Sequence, residues 1–302
     1  MNNKRRLFST LLCVAALTAG LFVSGCGSDK AGGIGSVVSS VVDGGSDEKA
    51  AAKLNTLIDA TNRFNGDNAT WGQNYADSLA KLKGGFQEGA IGCQPHYDTL
   101  KDALEKSKKE GSTFKEVDTE RDNVLNILNE LVPTFKDLKA YDDSKAYMND
   151  GGAKGKELAA KYVAQVEKFD AAYAKFNDAL NKANTEQTKK QIEKLKKDGK
   201  KGYAAAMEST LRLTTLVENV EKAPKNADKQ AVEKELNEIQ TLLKSINNDR
   251  GEVLVNSYNS VVGSVRQVLN DANENNLNDM IENFNNYIES YNNTTPDQFD
   301  SK

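Results

Sequence analysis

Cys93 and His96 stand three residues apart in Cys93-Gln94-Pro95-His96, and His96 is the single histidine among 302 residues. A thiolate and an imidazole in one turn have the chemistry of zinc or copper ligands. A closed zinc site takes four ligands and a catalytic one three, however, so carboxylates would have to complete the set. The pair is therefore read first as a glycine-rich loop carrying a small thiol and a surface histidine, with metal binding as the lesser candidate. The same scarcity governs nucleophilic catalysis, because a Ser-His-Asp or Cys-His system would have to use His96. No Gly-x-Ser-x-Gly elbow and no phosphate-binding Gly-rich loop ending in Lys-Ser/Thr occurs. Adjacent acids such as Asp47-Glu48 and Asp142-Asp143 are far more often solvated helix charges than hydrolytic pairs. The expectation is a protein that is not an enzyme and uses no cofactor. A hydrolase that pairs serine with lysine is the remotest alternative.

Cys26 carries a different chemistry. It follows Val23-Ser24-Gly25, at the end of an apolar run from Leu7 to Phe22 that begins after Lys4, Arg5 and Arg6. A membrane span needs roughly 20 consecutive apolar residues. A basic start, a shorter apolar run and small residues at the cut describe a cleaved signal. Small residues directly before a cysteine describe the bacterial lipoprotein version, in which the thiol takes a diacylglycerol. Residues 1–25 are thus expected to be a signal peptide and Cys26 to be lipidated. Two or three acyl chains hold a protein firmly to a bilayer without a spanning helix. Gly27 rather than Asp follows the cysteine, which in a diderm host favours the outer membrane, facing the periplasm; in a monoderm host the address is the cell membrane. With Cys13 discarded and Cys26 acylated, Cys93 has no partner for an intrachain disulfide. The formal charge is −4 before cleavage removes three cations, so nucleic acid is not an expected partner.

The elements that position these residues read as helices. Residues 26–46 form a flexible tether rich in glycine and serine. Beyond it prolines are rare, at 95, 133, 224 and 296, and apolar residues recur at spacings of three and four. One such stripe is Leu158, Tyr162, Val166, Phe169, Tyr173, Phe176 and Leu180; another is Val232, Leu236, Ile239, Leu243 and Ile246. The pattern predicts helices over about 48–64, 70–84, 97–109, 118–147, 154–182, 185–221, 227–247, 252–272 and 275–292. Pro133 should kink or split its helix. With no break in composition, residues 47–293 read as one all-α antiparallel bundle of long amphipathic helices around a shared core, followed by a frayed, disordered tail at 294–302.

Several polar groups remain. Tyr141, Asp150, Lys154 and Lys156 flank Gly151-Gly152, where Asp150 is placed to cap the next helix. With Tyr147, the lysines and Tyr141 could line an anion pocket at that helix start, or the whole stretch could be a turn that orients two helices. Seven lysines between 189 and 201 read as a solvated helix end or as a contact for anionic headgroups. Trp71 reads as core or cap, or as a platform for a sugar.

The stretch from Tyr141 to Leu158, together with Leu54 to Asn62, Lys201-Gly202-Tyr203 and Asn256 to Arg266, resembles the YiiG-like lipoprotein family. The resemblance covers about 50–292 and implies a lipid anchor and a mostly helical domain of unknown function, with no catalytic residues to transfer. The expected function is a non-enzymatic, lipid-anchored module that binds an envelope protein or peptidoglycan. A small-ligand or metal-binding lipoprotein is the alternative.

Overall fold

The computed structural model describes residues 46–92, 95–111 and 114–301, and among them the side chains of all but 46–49 and 66–73. The leader, Cys26, most of the tether, Cys93 and the Trp71 side chain lie outside this description. Every regular element among the described residues is helical, and none of these helices is long and apolar enough to cross a membrane.

In chain order these are α1 (Ser46–Lys83), α2 (Tyr97–Lys109), α3 (Lys115–Asp143), α4 (Tyr147–Asp150), α5 (Ala153–Lys197), α6 (Lys201–Lys222), a 3-10 turn (Pro224–Asn226), α7 (Lys229–Lys244), α8 (Asp249–Asn270), α9 (Glu274–Asn292) and α10 (Pro296–Asp300). Within the units α1 packs on α2 and α2 on α3, and α6 packs on α7, α7 on α8 and α8 on α9, through short connections as expected of an antiparallel bundle. The interior is divided, however. The chain forms two compact units that part between Ala183 and Asn184, and each has its own apolar cluster. The single shared core expected from the stripes is therefore two.

In the first unit Leu54, Leu57 and Ile58 of α1, Leu100 and Leu104 of α2, Leu128 and Leu131 of α3, and the α5 stripe through Phe176 and Leu180 are almost wholly removed from water. Each such side chain contributes roughly 1.5–3 kcal/mol. In the second unit the cluster is built on Met207, Leu213 and Val217 of α6, Ile239 and Leu243 of α7, Leu254, Val261 and Val265 of α8, and Met280 and Tyr287 of α9.

Two boundaries differ from the sequence reading. α1 runs unbroken through Gly66 and Gly72 where two helices were expected. Glycine is tolerated inside a helix at about 1 kcal/mol, and the apolar face on either side more than offsets that. α5 continues past Ala183, where no glycine or proline stands, and stops at Gly199. There Gly199 takes φ +80°, and the amides of Gly199 and Lys200 return to the carbonyls of Lys196 and Leu195, at 3.3 and 2.9 Å. That bond pair is a Schellman stop. α3 passes through Pro133 without splitting, and Leu131, Phe135 and Leu138 on its apolar face are all buried. The tail also differs. Instead of fraying, Pro296–Asp300 form α10, and Phe299 is only 2% exposed.

Two glycines of the second unit separate these effects. Gly263, exposed in the middle of α8, has nothing within 4 Å of an added Cβ, whereas Gly199 needs its left-handed backbone. Gly263→Ala should raise stability by about 0.5–1 kcal/mol, and Gly199→Ala should lower it by about 1 kcal/mol. Urea unfolding followed by circular dichroism reads both, and equal signs for the two would contradict the backbone assignment.

Candidate functional site

The residues singled out between Tyr141 and Lys156 meet at one end of the first unit. α3 ends with Lys145 in the left-handed region at φ 54°, and the Ala146 amide returns to the Tyr141 carbonyl at 3.1 Å. The chain turns through α4 and then through Gly151 and Gly152, both at positive φ. Asp150 then closes the start of α5. Its Oδ1 accepts from the Gly152 amide at 2.9 Å and its Oδ2 from the Lys154 amide at 3.1 Å. The Tyr141 hydroxyl donates to Oδ1 at 2.5 Å. That hydrogen bond, with the two amides, holds the Asp150 carboxyl below its ordinary range against the opposing effect of desolvation.

This arrangement favours the orienting turn over the anion pocket. The anion at the amino end of α5 is Asp150 itself, so the first amides of the helix are already engaged. Tyr141 and Asp150 are brought together, and the Lys154 backbone amide joins them, whereas the side chains of Lys154 and Lys156 are exposed.

A second segment, missed by the sequence reading, completes the turn. The loop after α1 lays Phe86 edge-on against Tyr141, ring centres 5.2 Å apart, and beside Tyr147 at 5.8 Å. The Gly89 amide donates to Asp142 Oδ1 at 3.4 Å. Glu88 accepts from the Tyr147 hydroxyl and, with desolvation, pushes that phenol up to about 12. Gly155 allows the approach, because a Cβ there would sit 2.6 Å from both the Phe86 and the Tyr141 ring. A glycine in the first turn of a helix is the one trace of this contact in the sequence; its partner lies some seventy positions away, where no local pattern points to it.

The first unit also holds polar groups inside its aromatic interior. The Tyr75 and Tyr97 hydroxyls share a hydrogen bond of 2.8 Å, and Phe64, Tyr97, Phe169 and Tyr173 pack ring to ring. Tyr173 donates to Asn65 Oδ1 at 2.9 Å. Asp170, one residue from Phe169, is pushed up to about 6, mainly by burial and against the attraction of Lys83, which itself pairs with Glu167 at 2.9 Å. Gln165 is only 5% exposed, yet neither its side-chain oxygen nor its nitrogen has a hydrogen-bond partner.

The remaining candidates lie at the surface or outside the described residues. His96 is exposed at the start of α2 and makes no side-chain cap. Cys93 lies outside the described residues, so the Cys93–His96 pair is not brought into view; no group of three or more metal-ligating side chains occurs among the described residues. In the lysine-rich stretch Lys189 pairs with Glu186, Lys196 with Glu193 and Glu208, and Lys200 with Asp297. These interspersed acids make it a mixed surface rather than a basic one.

The fold thus defines an all-helical protein whose best-built polar feature is a helix-orienting turn. The chain belongs to the family described as protein of unknown function DUF3829, which matches residues 48–283. No curated protein and no solved structure matches it significantly.

Two measurements test this geometry. Gly155→Ala would normally favour a helix, but here it should destabilise the first unit by about 1–3 kcal/mol through overpacking, read as a fall in melting temperature; a gain would show that Phe86 does not sit there. Asp170 keeps its proton in the folded chain up to about pH 6, while the unfolded chain loses it near the ordinary 3.8. The resulting stability is complete below the lower value and is lost as pH rises through the upper one. Asp170→Asn should therefore flatten the pH dependence between 4 and 6 and gain about 1–2 kcal/mol at pH 7, discounted for partial exposure. An unchanged slope would remove the desolvated carboxylate from the account.

Proposed function

We propose that this chain is a bacterial envelope lipoprotein of the YiiG-like type, held to a membrane by acylated Cys26. Its helical domain is a non-enzymatic module that binds another envelope component, a protein or peptidoglycan. The observation that carries the reading is Val23-Ser24-Gly25-Cys26 at the end of a short apolar run with a basic start. The outer membrane, facing the periplasm, is the favoured address in a diderm host, on the strength of Gly27. The binding role draws its support from the turn around Asp150. There the most concentrated polar chemistry in the first unit is spent on holding α3, α5 and the loop after α1 together. What such a rigid turn offers a partner is shape, with the Met148 side chain 75% exposed at its edge.

The alternative, a small-ligand binder using the bundle interior, is favoured by one observation, the buried Gln165 amide with neither end satisfied. Burying such a group unpaired costs about 1–3 kcal/mol, a cost that a bound polar molecule would remove.

The anchor is tested by labelling cells with a palmitate analogue. The native chain should take up label and fractionate with membranes, and Cys26→Ala should lose the label and accumulate with its leader uncut. Label retained by the variant would sink the lipoprotein reading. For the binding role, a photo-crosslinker at position 148 should yield a discrete adduct in intact envelopes; a smear of adducts matching that of a control position on the exposed face of α8 would count against a partner at the turn.

A further inference from the structure

The last described residues are docked in a way that no local sequence pattern announces. Phe299 stacks with Tyr203 of α6, ring centres 5.8 Å apart, and with Tyr291 of α9 at 6.0 Å. Asp300 reaches the open start of α6, where its carboxylate accepts from the Gly202 amide at 2.6 Å and the Tyr203 amide at 3.4 Å. The leading amides of a helix and the positive end of its dipole favour an anion there. Lys200 pairs with Asp297 at 3.5 Å, so a cation meets one of the two acids of the segment. Asn248 reads the backbone, its Nδ2 lying 3.0–3.1 Å from the carbonyls of Gln298, Phe299 and Ser301. Position 202 must be glycine for the segment to lie so close, since a Cβ would come 2.0 Å from the Phe299 carbonyl oxygen.

Four separate devices thus read one short stretch: an aromatic slot for Phe299, paired amides for Asp300, a cation for Asp297 and a side-chain amide for the backbone. That combination is the chemistry of a peptide site, which takes specificity from pockets and charge and affinity from backbone hydrogen bonds. We propose that residues 296–301 are an internal ligand, a strap seated in a peptide socket of the second unit. An outside polypeptide segment carrying an aromatic residue followed by an acidic one displaces it. The socket is at rest when the strap is in place and open to a partner when it lifts. The inference stands independently of the membrane anchor.

Two measurements test it. The first is hydrogen exchange on the native chain. Amides of residues 297–301, with those of Gly202 and Tyr203, should exchange at least 100-fold faster than buried amides in the middle of α8, as a locally opening element does. Exchange at the same rate as α8 would make α10 a fixed part of the core and overturn the proposal, whether or not any variant folds. The second uses the full chain carrying Phe299→Ala and Asp300→Ala, and a fluorescent peptide of residues 294–301. The peptide should bind the vacated chain at least tenfold more tightly than the native one. Peptides with Phe299→Ala or Asp300→Asn should lose at least tenfold. A helical, cooperatively melting variant that ignores the peptide would refute the socket. A concentration-dependent dimer of the native chain, seen in sedimentation, would assign the slot to a second copy and overturn the choice of occupant.

Discussion

A helix of 45 residues whose apolar stripe runs from Leu158 to Leu180 has to have that face covered, and that requirement shapes the first unit. α5 cannot hold its oily face in water, since most helical stability in proteins comes from tertiary burial rather than intrinsic propensity. From Ala159 to Leu180 the stripe is met by α1, α2 and α3, through contacts such as Phe64 with Phe169, Tyr97 with Phe169 and Phe135 with Tyr162. Further on, Ile192 belongs to the cluster of α6 to α9. The residues of α5 up to Ala183 belong to the first unit and those from Asn184 on to the second.

With burial setting the architecture, polar groups set the joints. Asp228, Asn248 and Asn273 cap α7, α8 and α9 by accepting from backbone amides two or three residues ahead. Asp150 does the same for α5 across the glycine pair, and Asp300 does it for α6 from far along the chain. Between neighbouring helices, Arg212 makes a two-pronged pair with Glu235, and Arg266 with Glu233, at 2.7–2.8 Å. Such pairs contribute modestly to stability but fix which faces meet. Asp170 and Gln165 stand outside this scheme, because they put polar chemistry into an interior that has little use for it.

The sequence made the helical class legible because the stripes repeat at helical spacing over most of the chain. α2 was read to the residue, since Pro95 and Glu110-Gly111 mark its ends. The Asp150 cap was legible for a similar reason: an acid before two glycines and a new apolar period can do little else. What stayed hidden depends on partners distant in sequence. Phe86 looks like one aromatic in a glycine-rich loop until Tyr141 and Gly155 are placed against it. Asp170 looks like any surface acid until Lys83, Glu167 and the tyrosine interior set its environment. Phe299 follows a proline in a polar tail, where periodicity has nothing to count. The break expected near position 183 failed differently. No glycine or proline stands near 183, and α5 stops where backbone geometry demands it, at Gly199.

Asn248 carries one more consequence. Its oxygen accepts from the amides of Arg250 and Gly251, both at 3.1 Å, while its nitrogen faces three carbonyls. Only an amide can do both, because a carboxylate has acceptors at each end. Hydrolytic ageing of this one side chain to aspartate would keep α8 capped and turn three attractions into repulsions. The covalent age of a molecule, rather than any change in its surroundings, would then decide whether the end of the chain stays tucked away.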